Sequence, residues 1–271
     1  MMKDITLGQY FPGNSLLHRL DPRMKLVLTL CFIVLVFLPQ NWWGLLTVGL
    51  FLLLVMGLSR LPLRLMWRST KPVLFLVLFT SVLNVLYVHE GTTLVHWGIL
   101  HITTGGLQSA AFIAVRILCL ILGSSLLTYT TTPTALTDAI ERLLSPLKVI
   151  KVNPHELAMM MTIALRFIPT LMEETDKIMS AQKARGADME SGGLVQRVKA
   201  LVPILIPLFV SSFRRAYDLA MAMECRCYQG GEGRTRMKQL RTAPRDWLSL
   251  AVYVAVGVGI VVLNICFGQV L

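Results

Sequence analysis

Long stretches of this chain carry no charge at all. No Asp, Glu, Lys or Arg interrupts residues 26–59, 72–88 or 247–271, and residues 102–127 hold a single charge, Arg116. A bilayer-spanning helix needs roughly 20 mostly apolar residues, which is about what these windows supply. The first window runs 34 residues and reads as two helices. Pro39-Gln40-Asn41 punctuates it as a turn would. Trp42 and Trp43 follow at once, and tryptophan favours the membrane–water interface. The pattern predicts membrane helices near 25–39, 42–58, 71–88, 104–128 and 246–267, the first two short for a full crossing. The fold class is all-α: a polytopic membrane protein of about five transmembrane helices with long amphipathic helices added.

Those added helices occupy 129–245. Asn153-Pro154 starts one, with asparagine as N-cap and proline in the first turn. Leu157, Met160, Met161, Ala164, Leu165, Ile168, Leu171 and Met172 then recur at i, i+3, i+4 spacing, one apolar face of a helix ending near Gly186. A second helix runs from about Gly193 to Tyr228. Its middle, 201–213, is uncharged for 13 residues, too short to span and suited to lying on or dipping into the bilayer. A shorter helix covers 133–145.

Composition agrees with the pattern: 55% of residues are hydrophobic and only 15% charged, against about 25% charged in ordinary globular domains. The net charge of +11 matters through its placement. Lys3, Arg19, Arg23 and Lys25 precede the first helix, the 39–43 turn has no charge, and Arg60, Arg64, Arg68 and Lys71 fill the next connection. Residues 89–101 lack Lys and Arg, whereas 129–245 is strongly basic. That alternation follows the positive-inside rule and predicts a cytoplasmic N-terminus with five crossings. It also explains the basicity without nucleic acid. The expected organisation is 1–128 with four membrane helices, 129–245 cytoplasmic, and 246–271 with the last membrane helix. No cleavable signal peptide is evident, since the first apolar run follows 25 mixed residues.

The two long helices finish alike, with Ala181-Gln182-Lys183-Ala184-Arg185-Gly186-Ala187 and Ala222-Met223-Glu224-Cys225-Arg226-Cys227-Tyr228, the arginines 41 positions apart. A helix C-terminus gathers unpaired carbonyls and partial negative charge, which an arginine complements. Small neighbours would also let the tip enter a groove, where the guanidinium could grip a carboxylate bidentately. One such tip fits either role. Two favour docking.

These features resemble the transmembrane T component (EcfT) of bacterial energy-coupling factor (ECF) importers, over nearly the whole chain. The resemblance rests on Gly8-Gln9-Tyr10, Pro12-Gly13, the run Leu17-His18-Arg19-Leu20-Asp21-Pro22-Arg23-Met24-Lys25, Arg166-Phe167-Ile168-Pro169 and the two tips. It implies that the long helices are cytoplasmic coupling helices. Their tips, Ala184-Arg185-Gly186 and Cys225-Arg226-Cys227, would dock into two ABC-type ATPases. A separate membrane S component would bind and choose the substrate, a vitamin or metal ion, in the bacterial cell membrane. The second tip departs from the Ala-Arg-Gly pattern, and Cys227 lacks glycine's freedom at positive φ.

Nothing points to an enzyme or a cofactor. There is no G-x-x-x-x-G-K-[ST] loop to cradle ATP, so hydrolysis is expected in the partners. The five cysteines are odd in number and scattered, which argues against a disulfide framework. His18, His89, His96, His101 and His155 show no metal-binding spacing. Arg116 lies midway along a span, where a charge is costly and marks either a functional site or a structural hydrogen bond. A self-sufficient secondary transporter would need several ionisable groups or broken helices along a path, and a membrane-bound enzyme would need clustered acids or histidines.

Overall fold

A computed structural model describes residues 10–87, 92–97, 100–146, 153–187, 193–230, 240 and 242–267. Eight helices are present among them: α1 (Pro22–Phe37), α2 (Trp42–Ser59), α3 (Leu63–Tyr87), α4 (Thr104–Thr130), α5 (Pro133–Leu143), α6 (Pro154–Ala184), α7 (Leu194–Glu224) and α8 (Pro244–Phe267). A short antiparallel ribbon, β1 (Thr93–Trp97) and β2 (Leu100–Thr103), precedes α4. The described residues divide into two compact units, one from 10–139 with 240 and 242–267, the other within 140–230.

In the first unit α4 lies against α1, α2 and α3, and α8 against α1 and α2. Phe32, Val36, Val48, Phe51, Leu52, Cys119, Leu126, Tyr129 and Ile260 form its core. Helices α1 and α4 approach closely at Gly123. A Cβ on Gly123 would stand 2.1 Å from a ring carbon of Phe32, so only glycine admits that ring. Capping sets the helix starts. The side chains of Asp21, Asn41 and Thr103 accept hydrogen bonds from the backbone N–H groups of Arg23, Gly44 and Gly106, each cap worth about 1 kcal/mol.

Three sequence expectations shift. Helix α3 starts at Leu63 rather than 71, taking the basic residues 64–71 into the helix. Met66 and Thr70 are buried on one side of that first stretch, so packing recruits residues that their charge had marked as a connection. Residues 93–97 and 100–103, expected between helices as loop, form the ribbon. The set of long helices also changes: α2, α3, α4, α7 and α8 are the five long and apolar enough to cross a membrane. Helix α1 has 16 residues, about 24 Å at 1.5 Å per residue, short of a hydrocarbon core of about 30 Å. It stops before Pro39, which cannot continue it. Helix α7 qualifies over Val198–Glu224, because a long helix tolerates charges that break a charge-free run.

In the second unit α6 pairs with α7. Glu174 of α6 accepts from the Ser211 hydroxyl and from Arg215 Nη2 at 2.7 Å, both on α7. A second tie depends on proline. Pro207 has no N–H, so the carbonyl four residues back, that of Pro203, loses its helical donor. Gln182 Nε2 of α6 donates to that carbonyl at 3.3 Å. Residue 182 thus meets 203 while 174 meets 211 and 215, so the helices run antiparallel.

Candidate functional site

Both tips close with one backbone pattern. At the end of α6, Gly186 N–H donates to Lys183 O at 3.0 Å and Ala187 N–H to Gln182 O at 3.0 Å. At the end of α7, Cys227 N–H donates to Glu224 O at 2.8 Å and Tyr228 N–H to Met223 O at 3.1 Å. Each pair joins a residue to the carbonyl three back and its successor to the carbonyl five back, around a left-handed residue, which is the Schellman closure. The left-handed residues are Gly186 at φ 84° and Cys227 at φ 55°. Cys227 therefore follows the backbone path that glycine takes at the first tip, at a conformational cost of about 1–2 kcal/mol.

Backbone N–H groups satisfy these terminal carbonyls, so neither guanidinium is needed as a cap. Arg185 and Arg226 are exposed, as are Ala184, Gly186, Cys225 and Cys227. Among the described residues, neither arginine side chain has a hydrogen-bond or ion-pair partner. The antiparallel pairing also separates them. Gln182 is fastened at Pro203, and the 23 residues from there to Arg226 rise about 35 Å along α7. The unit carries two similar cationic tips at opposite ends of a helix pair.

Arg116 lies elsewhere, in the first unit. Its Nη2 donates to Pro39 O at 2.6 Å, and its guanidinium stands 4.7 Å from the centre of the Phe112 ring and 5.9 Å from that of Phe37. A carbonyl at the α1–α2 turn and two aromatic faces thus share the charge. Among the described residues no group of His, Cys, Asp and Glu could hold a metal ion. His89 lies outside those residues, and His96 and His101 face each other across the ribbon register.

Comparison with known proteins agrees with this architecture. The family model for the cobalt transport protein CbiQ matches residues 13–237. The chain is 52% identical over 267 residues to the energy-coupling factor transporter transmembrane protein EcfT of Ruminiclostridium cellulolyticum, covering 98% of this chain and 100% of the relative. It is 54% identical to the EcfT of Thermosediminibacter oceani over 94% of this chain and 95% of that one. For the EcfT of Bacillus subtilis the identity is 51%, over 91% and 93%. The chain belongs to the EcfT family. It is a multi-pass transmembrane component of the ECF transporter type.

The EcfT-like run from Leu17 to Lys25, noticed in the sequence only as a resemblance, proves to be a polar junction. Lys25 is buried, and its Nζ donates to His18 O at 3.2 Å and to Thr130 O, at the end of α4, at 2.9 Å. Asp21 N–H donates to Asp246 Oδ1 of α8 at 3.0 Å, and Asp246 Oδ2 accepts from Ala243 N–H. Asn264 and Asn41 make similar ties at the α1–α2 turn. Asn264 joins Leu38 O and Gln40 N–H, and Asn41 Nδ2 reaches Leu263 O. Apart from the local Lys25–His18 and Ala243–Asp246 bonds, these partners lie 105 to 226 positions apart in the chain. The only local signals were an acidic and an amide residue inside or beside apolar runs.

Proposed function

We propose that this chain is the coupling subunit of an ECF importer in the bacterial cell membrane, taking up a vitamin or a metal ion. The reading assigns Arg185 and Arg226 to two ABC-type ATPases, one per tip. It gives substrate binding to an S component held beside this chain, with the N-terminus and both coupling helices on the cytoplasmic side. The observation that carries it is the repeated tip: an arginine without a partner among the described residues, on a left-handed helix closure, twice, about 35 Å apart along the helix. A guanidinium already relieved of capping can make two parallel hydrogen bonds to a groove carboxylate. Two such points let a pair of motor subunits pull on one helix pair. ATP-driven closure of the pair would draw the tips together, and α6 and α7 would pass that motion to the S component.

A self-sufficient transporter is less well supported, because Arg116 is engaged by a carbonyl and two rings rather than aligned with other ionisable groups. The test is co-purification with a cognate ATPase pair, using the native chain, Arg185→Glu, Arg226→Glu and the double variant, each checked for membrane insertion. Each single change is expected to weaken capture and the double change to abolish it. Equal capture of all four forms would remove the tips from the docking role.

A further inference from the structure

The early start of α3 turns four cations, until then a charged connection, into an ordered surface. Arg64, Arg68 and Lys71 are spaced i, i+4, i+7, so they line one side of the helix, with Arg60 in the turn just before. All are exposed. Among the described residues none has a hydrogen bond or an ion pair through its side chain. The sequence offers them no neighbouring carboxylate either, for no Asp or Glu occurs from Pro22 to His89. Trp67 stands 67% exposed among the cations, and the same side continues with Phe75 at 78%, Leu78 at 64% and Val82 at 50%. The other side of α3, through Met66, Thr70 and Val77, is buried, and α3 lies against α4.

The dimensions of the stripe match one leaflet. Arg64 to Lys71 rises about 10 Å and Lys71 to Val82 about 17 Å. A leaflet offers a headgroup layer of several Å above hydrocarbon of about 15 Å. Pro72 stands at the junction of the two zones. A tryptophan at interface depth between guanidinium groups is the arrangement that suits a phosphate above and an acyl chain below.

We infer that this face of α3 is a binding site for an anionic phospholipid, whose phosphodiester and headgroup are held by Arg64, Arg68 and Lys71 and whose acyl chain lies along Phe75, Leu78 and Val82. Charge complementarity selects the occupant: three cations without a counter-ion face the one layer of a membrane that carries fixed negative charge. The site is independent of ATPase docking, since it uses none of the tip residues.

The full chain in bilayer vesicles tests it, with Trp42, Trp43, Trp97 and Trp247 changed to Phe so that Trp67 alone fluoresces. Quenching by phosphatidylglycerol brominated near the carbonyl end of its chains is compared with quenching by equally brominated phosphatidylcholine. Expected is about a fivefold preference for phosphatidylglycerol, the size of one net cation contact, shrinking as salt is raised. Arg64→Gln/Arg68→Gln/Lys71→Gln should bring the ratio close to one. Arg64→Lys/Arg68→Lys, which keeps the charge, should retain most of the preference and guards against a folding defect. Equal quenching by both lipids in the native-charge chain overturns the site, as does a preference that survives neutralisation. So does a preference that disappears when the ATPase pair is added, for the face would then belong to a protein partner.

Discussion

The tips of α6 and α7 share a backbone and differ in side chains. One turns at Gly186, where φ 84° costs nothing, the other at Cys227, where φ 55° is strained for an L-residue. Their closing pairs of hydrogen bonds match, carbonyl for carbonyl. What the two ends have in common is therefore the path of the chain and the arginine just before the turn. The identity of the turning residue is secondary. A feature present at some conformational cost in one copy is a feature of geometry, and among the described residues that geometry leaves both guanidinium groups without a partner.

The comparison breaks first at the arginines. If the tips act equivalently, Arg185→Glu and Arg226→Glu should each weaken ATPase binding by about 2–5 kcal/mol, the range for losing one partner of a desolvated charge pair. Titration of the purified ATPases onto each variant gives the two values, and a defect at one tip alone would end the equivalence. Next comes the turn. Gly186→Val places a β-branched residue at positive φ and should cost the first tip at least about 1–2 kcal/mol of local stability. Hydrogen exchange at the Ala187 amide reads that loss.

A smaller effect tests the proline tie. Gln182→Leu leaves the Pro203 carbonyl without its donor and should lower protection of the first tip by about 1 kcal/mol, leaving the Tyr228 amide at the second tip unchanged. Cys227→Gly sharpens the comparison from the other side. It relieves the left-handed strain and should raise protection of the Tyr228 amide by about 1 kcal/mol or less, part of the gain being returned to the unfolded chain.

The smallest effect is the pH response of the α6–α7 pairing. The Ser211 hydroxyl, then Arg215, hold the Glu174 carboxyl below the usual glutamate range. A depressed carboxylate stabilises fully above its unfolded pKa of about 4.3, and that contribution fades as pH falls through the lower folded value. The pair is half-exposed, so the loss should stay under about 1 kcal/mol. Acid titration of the native chain against Glu174→Gln isolates it. Identical acid profiles would show that Glu174 contributes nothing to the pairing.

Much of this was legible because it is local. Runs with no charge, or with one, mark α2, α4 and α8, the Asn153-Pro154 start marks α6, and the arginine tips stand out as repeated words. The shape of the second tip was not legible, since a cysteine at positive φ has no propensity signal. The start of α3 was hidden by its own charges, which read as a connection until Met66 and Thr70 found α4 to pack against. The ribbon before α4 is too short for periodicity to separate from loop. The Lys25, Asp246 and Asn264 ties were invisible for another reason: each joins one end of the chain to a far part of it, and no window of sequence contains both partners.

That last separation has a consequence for biogenesis. The Asp21 amide meets its acceptor on α8, 225 positions later. At 5–20 residues per second of synthesis, the start of α1 waits roughly 10–45 s for Asp246 to be made. Until then the first helix lacks its closing partner, and Lys25 has only His18 O nearby and, once α4 is made 105 positions on, Thr130 O. The Asp21 latch can form only after Asp246 has been made, so a chain halted before that point would keep its first helix unlatched.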